Sequence, residues 1–262
     1  MPVANVNGQH IYYEDSGGDG PAVIFSHGFL MDHTMFDPQV EALAPEFRCI
    51  RWDERGFGRT EAKGPFTYWD SADDCIGLLD HLGVEQAVLA GMSQGGFLSL
   101  RAALSHASRV RGLVLIDTQA GVDSAEALAG YRGMIDHWVG DAALEPVAQV
   151  VAGLILGTPE LEGEWMAVWN QRDRKSLAYP GACLLERDDI VPRLGEIRCP
   201  ALVVHGSEDQ AIELALGQAL ADGLADCRGL VVVPGAAHAP NLSHPDKVNG
   251  PVLDFLRGLS AD

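Results

Sequence analysis

The chain has 262 residues, 47% hydrophobic and 21% charged, the proportions of a globular protein long enough to bury a sizeable core. Its 18 basic against 37 acidic residues give a formal charge of −19, which argues against nucleic acid and anionic membrane surfaces as partners. Five scattered cysteines without Cys-x-x-Cys spacing fit neither a disulfide nor a zinc framework, and no signal peptide or membrane span is visible, so a cytoplasmic location is expected.

From the N-terminus, residues 9–14 alternate, Ile11 and Tyr13 against Tyr12 and Glu14, and predict an edge strand closed by a glycine-rich turn ending at Pro21. Ala22–Ser26 is a short continuous apolar run, as in a strand buried on both faces, and it ends in His27-Gly28-Phe29. A helix is predicted over 35–43, then a strand over 47–52 that runs into Asp53-Glu54-Arg55-Gly56-Phe57-Gly58. Ala72, Cys75, Ile76, Leu79 and Leu82 carry helical spacing through 69–82. A strand at 87–90 leads into Gly91-Met92-Ser93-Gln94-Gly95, after which helical spacing resumes at Phe97. Val110–Ile116 predicts another strand, ending at Asp117. Continuous apolar strands alternating with helices mean an α/β fold with a parallel sheet and helices on both faces.

The rhythm changes near Gly121. Residues 126–138, 147–156 and 161–169 read as helices with no strand among them. Strands resume at 201–205 and 229–233, and a last helix spans 245–259, with Pro251 expected to disturb it. The expected organisation is a core of residues 1–120 and 191–262 interrupted by a helical insert at 121–190.

Gly-x-Ser-x-Gly between a strand and a helix is a chemical signal. So tight a turn strains its apex residue and crowds strand against helix, and glycines two positions either side relieve the crowding. Ser93 is then lifted out of the fold at a helix N-terminus, where free N–H groups favour negative charge. Reactive groups in parallel sheets gather beyond the carboxyl ends of the strands. Asp209 follows one late strand and His238 the last, which gives the order nucleophile, acid, base. A serine hydroxyl needs a base, and histidine can take its proton and return it, while a carboxylate fixes the imidazole tautomer. Asp117 also follows a core strand and competes with Asp209 for the acid. His244 is the nearest rival of His238, but Ser243-His244-Pro245 reads as a helix start. The backbone N–H groups of Phe29 and Gln94 are placed to hold an oxyanion.

Together these motifs, with Pro200 to Asp209 and Gly235 to His238, resemble the α/β-hydrolase superfamily over residues 9–118 and about 188–258. The resemblance is greatest to 3-oxoadipate enol-lactonase-type and small bacterial carboxylesterases. It implies a mostly parallel eight-stranded sheet, a helical cap inserted after the sixth strand, and no cofactor or metal. It also implies a small-molecule substrate, cleaved as an ester or lactone through Ser93, Asp209 and His238; a homo-oligomer is compatible with it. Ser93 stands where dehalogenases and epoxide hydrolases of this fold carry aspartate, which disfavours those reactions. A C–C bond hydrolase, a thioesterase and a perhydrolase use the same triad, and a ligand receptor on this fold keeps it with little turnover. In the cap, Met134, Ile135, Trp138, Trp165, Met166 and Trp169 supply large apolar side chains; Trp138, Trp165, Met166 and Trp169 are candidate pocket residues for an apolar part of the substrate, against the alternative that they fill the seam with the core. Arg172, Arg174 and Lys175 form its basic cluster.

Overall fold

The computed structural model describes residues 2–260. Among them, eight strands form one sheet in the order β1-β2-β4-β3-β5-β6-β7-β8. The strands are β1 (Val3–Val6), β2 (Gln9–Asp15), β3 (Ala22–Ser26), β4 (Arg48–Trp52), β5 (Ala87–Met92), β6 (Val110–Ile116), β7 (Ala201–Gly206) and β8 (Cys227–Val233). β1 pairs antiparallel with β2 and β2 with β4, and every later pairing is parallel. The strand at 9–14 is therefore not an edge strand, because β1 covers its outer side. The turn between them, Asn7-Gly8, holds both residues at positive φ (49° and 76°), the hairpin geometry that such a dipeptide favours.

Alternation along the inner strands divides the core in two. Ile24, Ile50, Leu89, Leu113 and Val203 point to one face, where α2 (Tyr68–His81), α3 (Gln94–Ser105) and α8 (Leu214–Gly223) pack. Val23, Phe25, Cys49, Val88, Val114 and Val204 point to the other, against α1 (Asp37–Leu43) and the terminal α10 (Pro245–Ser260). α2 starts at a capping box: the Thr67 hydroxyl takes the Asp70 N–H and the Asp70 carboxylate takes the Thr67 N–H. α10 runs on through Pro251 without ending there, losing one internal hydrogen bond.

Between β6 and β7 lie four helices: α4 (Ala125–Val139), α5 (Glu145–Ile155), α6 (Pro159–Asn170) and α7 (Ala178–Leu185). Three answer to the helical patterns read in the insert. α7 has no polar face to mark its spacing and contains Pro180, so its sequence does not announce a helix. A short α9 (Pro240–Ser243) precedes α10.

The junction of β5 and α3 is the tightest in the molecule that the motif foresaw. A Cβ on Gly95 would sit 1.9 Å from the Ser26 carbonyl oxygen, and one on Gly91 would sit 2.1 Å from that of Gly95. Backbone meets backbone there, and no side chain can yield. By contrast Gly153, exposed within α5, has open space around it. Gly95→Ala is expected to destabilise the fold by more than about 3 kcal/mol or to prevent folding, the range of strong overpacking. Gly153→Ala should instead stabilise by about 0.5–1 kcal/mol through helix propensity. Denaturant midpoints of the two variants against wild type check both signs.

Candidate active site

Ser93 is locked from both sides. Its N–H donates to the Ile116 carbonyl at 2.9 Å, and its own carbonyl accepts the Gly96 N–H (2.9 Å), the Phe97 N–H (3.2 Å) and the Thr118 hydroxyl (2.8 Å). These bonds hold it at φ 52°, ψ −114°, a backbone conformation that costs about 1–3 kcal/mol for a residue with a side chain. Its side chain faces a cavity of about 420 Å³ beyond the carboxyl ends of the parallel strands. His238 faces the same cavity from the loop after β8, and Phe29 from the loop after β3.

Asp209 stands behind His238 rather than in the cavity. One oxygen, Oδ1, accepts the N–H groups of Ala211 (2.8 Å) and Ile212 (3.0 Å), which fixes the carboxylate. The other, Oδ2, accepts Nδ1–H of His238 at 2.7 Å, so that ring's Nε2 remains for a partner elsewhere. Burial acts to raise the Asp209 carboxyl, but the His238 ring and its hydrogen bond, the nearby His205 ring and the Ile212 N–H outweigh it. They hold Asp209 well below the usual carboxylate range.

Asp117 goes the other way. Burial and the neighbouring charge of Asp209 push it well above the ordinary value, against a single bond from the Gly206 N–H at 2.8 Å. Two buried carboxyls this close do not both ionise, and Asp209 has the donors. His205 lies between them, its Nε2–H given to the Ile212 carbonyl (2.8 Å) and 3.4 Å from Asp209 Oδ2. Of the two carboxyls, Asp209, which the sequence reading preferred, is the one bonded to His238.

Among the described residues, two groups bring three potential ligand atoms within 4.8 Å: Asp32, His33 and Asp53, and Asp117, His205 and Asp209. Apart from Asp117 Oδ2, their carboxylate oxygens already accept protein donors. Asp53, for example, takes the His33 N–H (2.9 Å), His33 Nδ1–H (2.7 Å) and the Arg59 N–H (2.8 Å), so a cation would compete with these donors.

The two oxyanion candidates lie in the loop after β3 and at the start of α3. Gln94 opens α3, where the first N–H groups lack helical partners. Among the described residues, no turn or loop hydrogen bond uses the Phe29 or Gln94 N–H. His27 anchors the same loop as a neutral ring: Nδ1–H donates to the Gly28 carbonyl (2.8 Å), and Nε2 accepts the Glu54 N–H (3.0 Å). Burial pulls its proton affinity down, which agrees with that assignment.

The insert corrects the sequence reading. Trp138, Trp165, Met166 and Trp169 do not line the cavity. The three tryptophans are buried in the core beside it, with Trp138 and Trp169 edge to face at 5.4 Å. Trp169 Nε1–H donates to the Leu30 carbonyl (2.9 Å), and Arg172 donates to the carbonyls of Leu30 (3.0 Å) and Met31 and pairs with Asp32. Leu30, at φ 67°, adjoins Phe29, so these residues clamp the loop instead of meeting a ligand. Arg174 binds the carbonyls of His137, Trp138 and Ala142 at the end of α4. The insert's contribution to the cavity comes from Tyr131 and Met134 of α4, one face of α5, and Arg187 after α7, paired with Asp123. Met134 is one of the large apolar side chains that the sequence marks in the insert; apart from it and the apolar stretch of α5, nothing in the sequence singles these out.

A family model described as alpha/beta hydrolase fold matches residues 21–160. The RutD protein of Caulobacter sp. (strain K31), named for carbamate hydrolysis, is 30% identical, the match covering 96% of this chain and 97% of RutD. The enol-lactonase of Burkholderia xenovorans LB400 superposes with a TM-score of 0.89 at 30% identity, covering 98% of this chain and 100% of that one. A thermophilic esterase from Thermogutta terrifontis gives a TM-score of 0.90 at 29% identity, covering 98% of each chain. No helix among the described residues is long and apolar enough to cross a membrane.

Beneath the site, burial raises Glu54 well above the ordinary glutamate value, a Gln94 contact opposes it, and Asp74 and Asp53 add to the rise. Glu54 is therefore neutral in the fold, whereas the unfolded chain ionises it above about pH 4.3. Its contribution to stability is complete below that pH and drains away as pH climbs toward the folded value. Glu54→Gln should gain on wild type by up to about 1.4 kcal/mol per pH unit across that interval. Urea midpoints at pH 4 and pH 8 check this, and an equal difference at both would contradict a neutral Glu54.

Proposed function

Because the chain belongs to the α/β-hydrolase family, we propose that it is a serine hydrolase cleaving a carboxylic ester or lactone. The observation that carries the reading is one cavity onto which Ser93 and His238 both face, with Asp209 bonded to the far side of the imidazole. Ser93 Oγ attacks the substrate carbonyl while His238 Nε2 takes its proton. Asp209 keeps the ring in the tautomer that leaves Nε2 free and balances the imidazolium that forms. The oxyanion is received by the N–H groups of Phe29 and Gln94. Collapse of the tetrahedral intermediate breaks the C–O bond, and His238 returns the proton to the departing alkoxide, leaving an acyl-Ser93. Water, activated by the same ring, then releases the acid and restores the serine.

The esterase and the enol-lactonase that share the architecture support this class of reaction by their names, while RutD, similar in sequence, is named for carbamate hydrolysis. The apolar cavity supports an uncharged carbonyl compound. The insert at 121–190, read as a cap over the core, supplies much of the cavity's lining.

The test is pre-steady-state hydrolysis of a p-nitrophenyl ester. An acyl-enzyme releases one equivalent of p-nitrophenol before the steady rate wherever deacylation is the slower step. Ser93→Ala is expected to lower kcat by on the order of 10⁴–10⁶. Asp209→Asn should lower it by about 10⁴ through the wrong tautomer, whereas Asp117→Asn, which replaces a carboxyl already neutral, should cost less than about tenfold. The reverse ranking would transfer the acid's role to Asp117, and unchanged turnover in Ser93→Ala would remove the serine from the mechanism.

A further inference from the structure

The cavity's wall carries a charge arrangement that bears on which substrates it accepts. Arg187 Nη2 donates to Asp123 Oδ2 at 2.7 Å, and its side chain is 2% exposed. Nε and Nη1 are occupied by the carbonyls of Gly121 and Leu184, both at 3.2 Å, and the guanidinium lies 4.6 Å from the Phe97 ring centre. Asp123 in turn accepts Gln119 Nε2–H at 2.9 Å. Arg187 is the only lysine or arginine along the cavity among the described residues, and its charge is answered in place. The cluster at Arg172 and Arg174 is spent on backbone carbonyls outside it.

The α5 part of the lining is apolar. Val147, Val150, Val151, Leu154 and Ile155 form it at the i, i+3, i+4, i+7, i+8 spacing of one helical face. Val150 is 63% exposed and Leu154 37%, so this face continues to the surface as an apolar rim.

We propose that the site selects uncharged esters or lactones with an apolar arm laid along α5, and that the Asp123–Arg187 pair excludes substrates bearing a carboxylate. The inference rests on the hydrolase reading and adds the substrate's charge and shape to it. A carboxylate entering the cavity loses its water and finds no free cation, and the protein's charge of −19 opposes its approach. An alkyl arm instead covers the α5 face, and each added methylene is worth roughly a three- to fourfold gain in kcat/KM while it remains in contact.

The matched pair for the test is p-nitrophenyl hexanoate and mono-p-nitrophenyl adipate, which share a six-carbon acyl chain and differ in a terminal carboxylate. Wild type should favour hexanoate by at least about 100-fold in kcat/KM, the scale of an unpaired buried group. Asp123→Asn, which leaves the Arg187 charge uncompensated, should reduce that preference at least about tenfold. A wild-type preference below tenfold overturns the proposal whether or not the variant folds. If neither ester were turned over, the hydrolase reading would fall by itself. The pocket's preference is then read from the melting-temperature shift given by hexanamide against adipamate, where an equal or larger shift from the anion overturns it.

Discussion

The arrangement depends on the close approach of α3 to the strands before it. Gly91 and Gly95 let helix backbone touch strand backbone, and that contact leaves the intervening residue no relaxed conformation. Ser93 is held at positive φ by bonds to Ile116 and Thr118 at the end of β6 and to Gly96 and Phe97 at the start of α3. The strain is local, and the packing of three elements sustains it. The consequence is a hydroxyl fixed in direction over the ends of the parallel strands, where the loops from β3, β7 and β8 also arrive.

Around that point the protein separates buried groups by hydrogen bonding rather than by distance. Asp209, Asp117 and Glu54 are all carboxyls removed from water. Asp209 has donors on both oxygens and stays ionised; the other two have few and hold their protons. His27 and His205 are likewise committed through one nitrogen to a carbonyl, leaving His238 as the ring turned toward the cavity. The site thus contains one carboxylate–imidazole pair set among neutralised neighbours.

The insert acts on the site twice. Through Trp169 and Arg172 it grips the carbonyl of Leu30, next to the proposed oxyanion donor Phe29, so the position of that N–H depends on helix α6. Through α4, α5 and Arg187 it builds the wall that a substrate meets. Trp169 and Arg172 serve the first purpose; Tyr131, Met134, the aliphatic face of α5 and one closed ion pair serve the second.

The sequence by itself determined the parallel α/β sheet, the run of most of its elements, and the candidates Ser93, Asp209 and His238. These follow from local constraints. Continuous apolar runs are needed where both faces are buried, glycines where backbones touch, and polar residues fall just past strand ends. It missed β1, although Asn7-Gly8 marks its hairpin, because four residues show too little alternation to stand out. The sequence preferred Asp209 to Asp117, but both follow strands, and only the tertiary structure shows which one meets the His238 ring. It alone showed that the insert's tryptophans face the core while α5 faces the cavity, and that Arg187 finds Asp123 across 64 positions of chain. Helical spacing says which residues share a face, but not what that face is packed against.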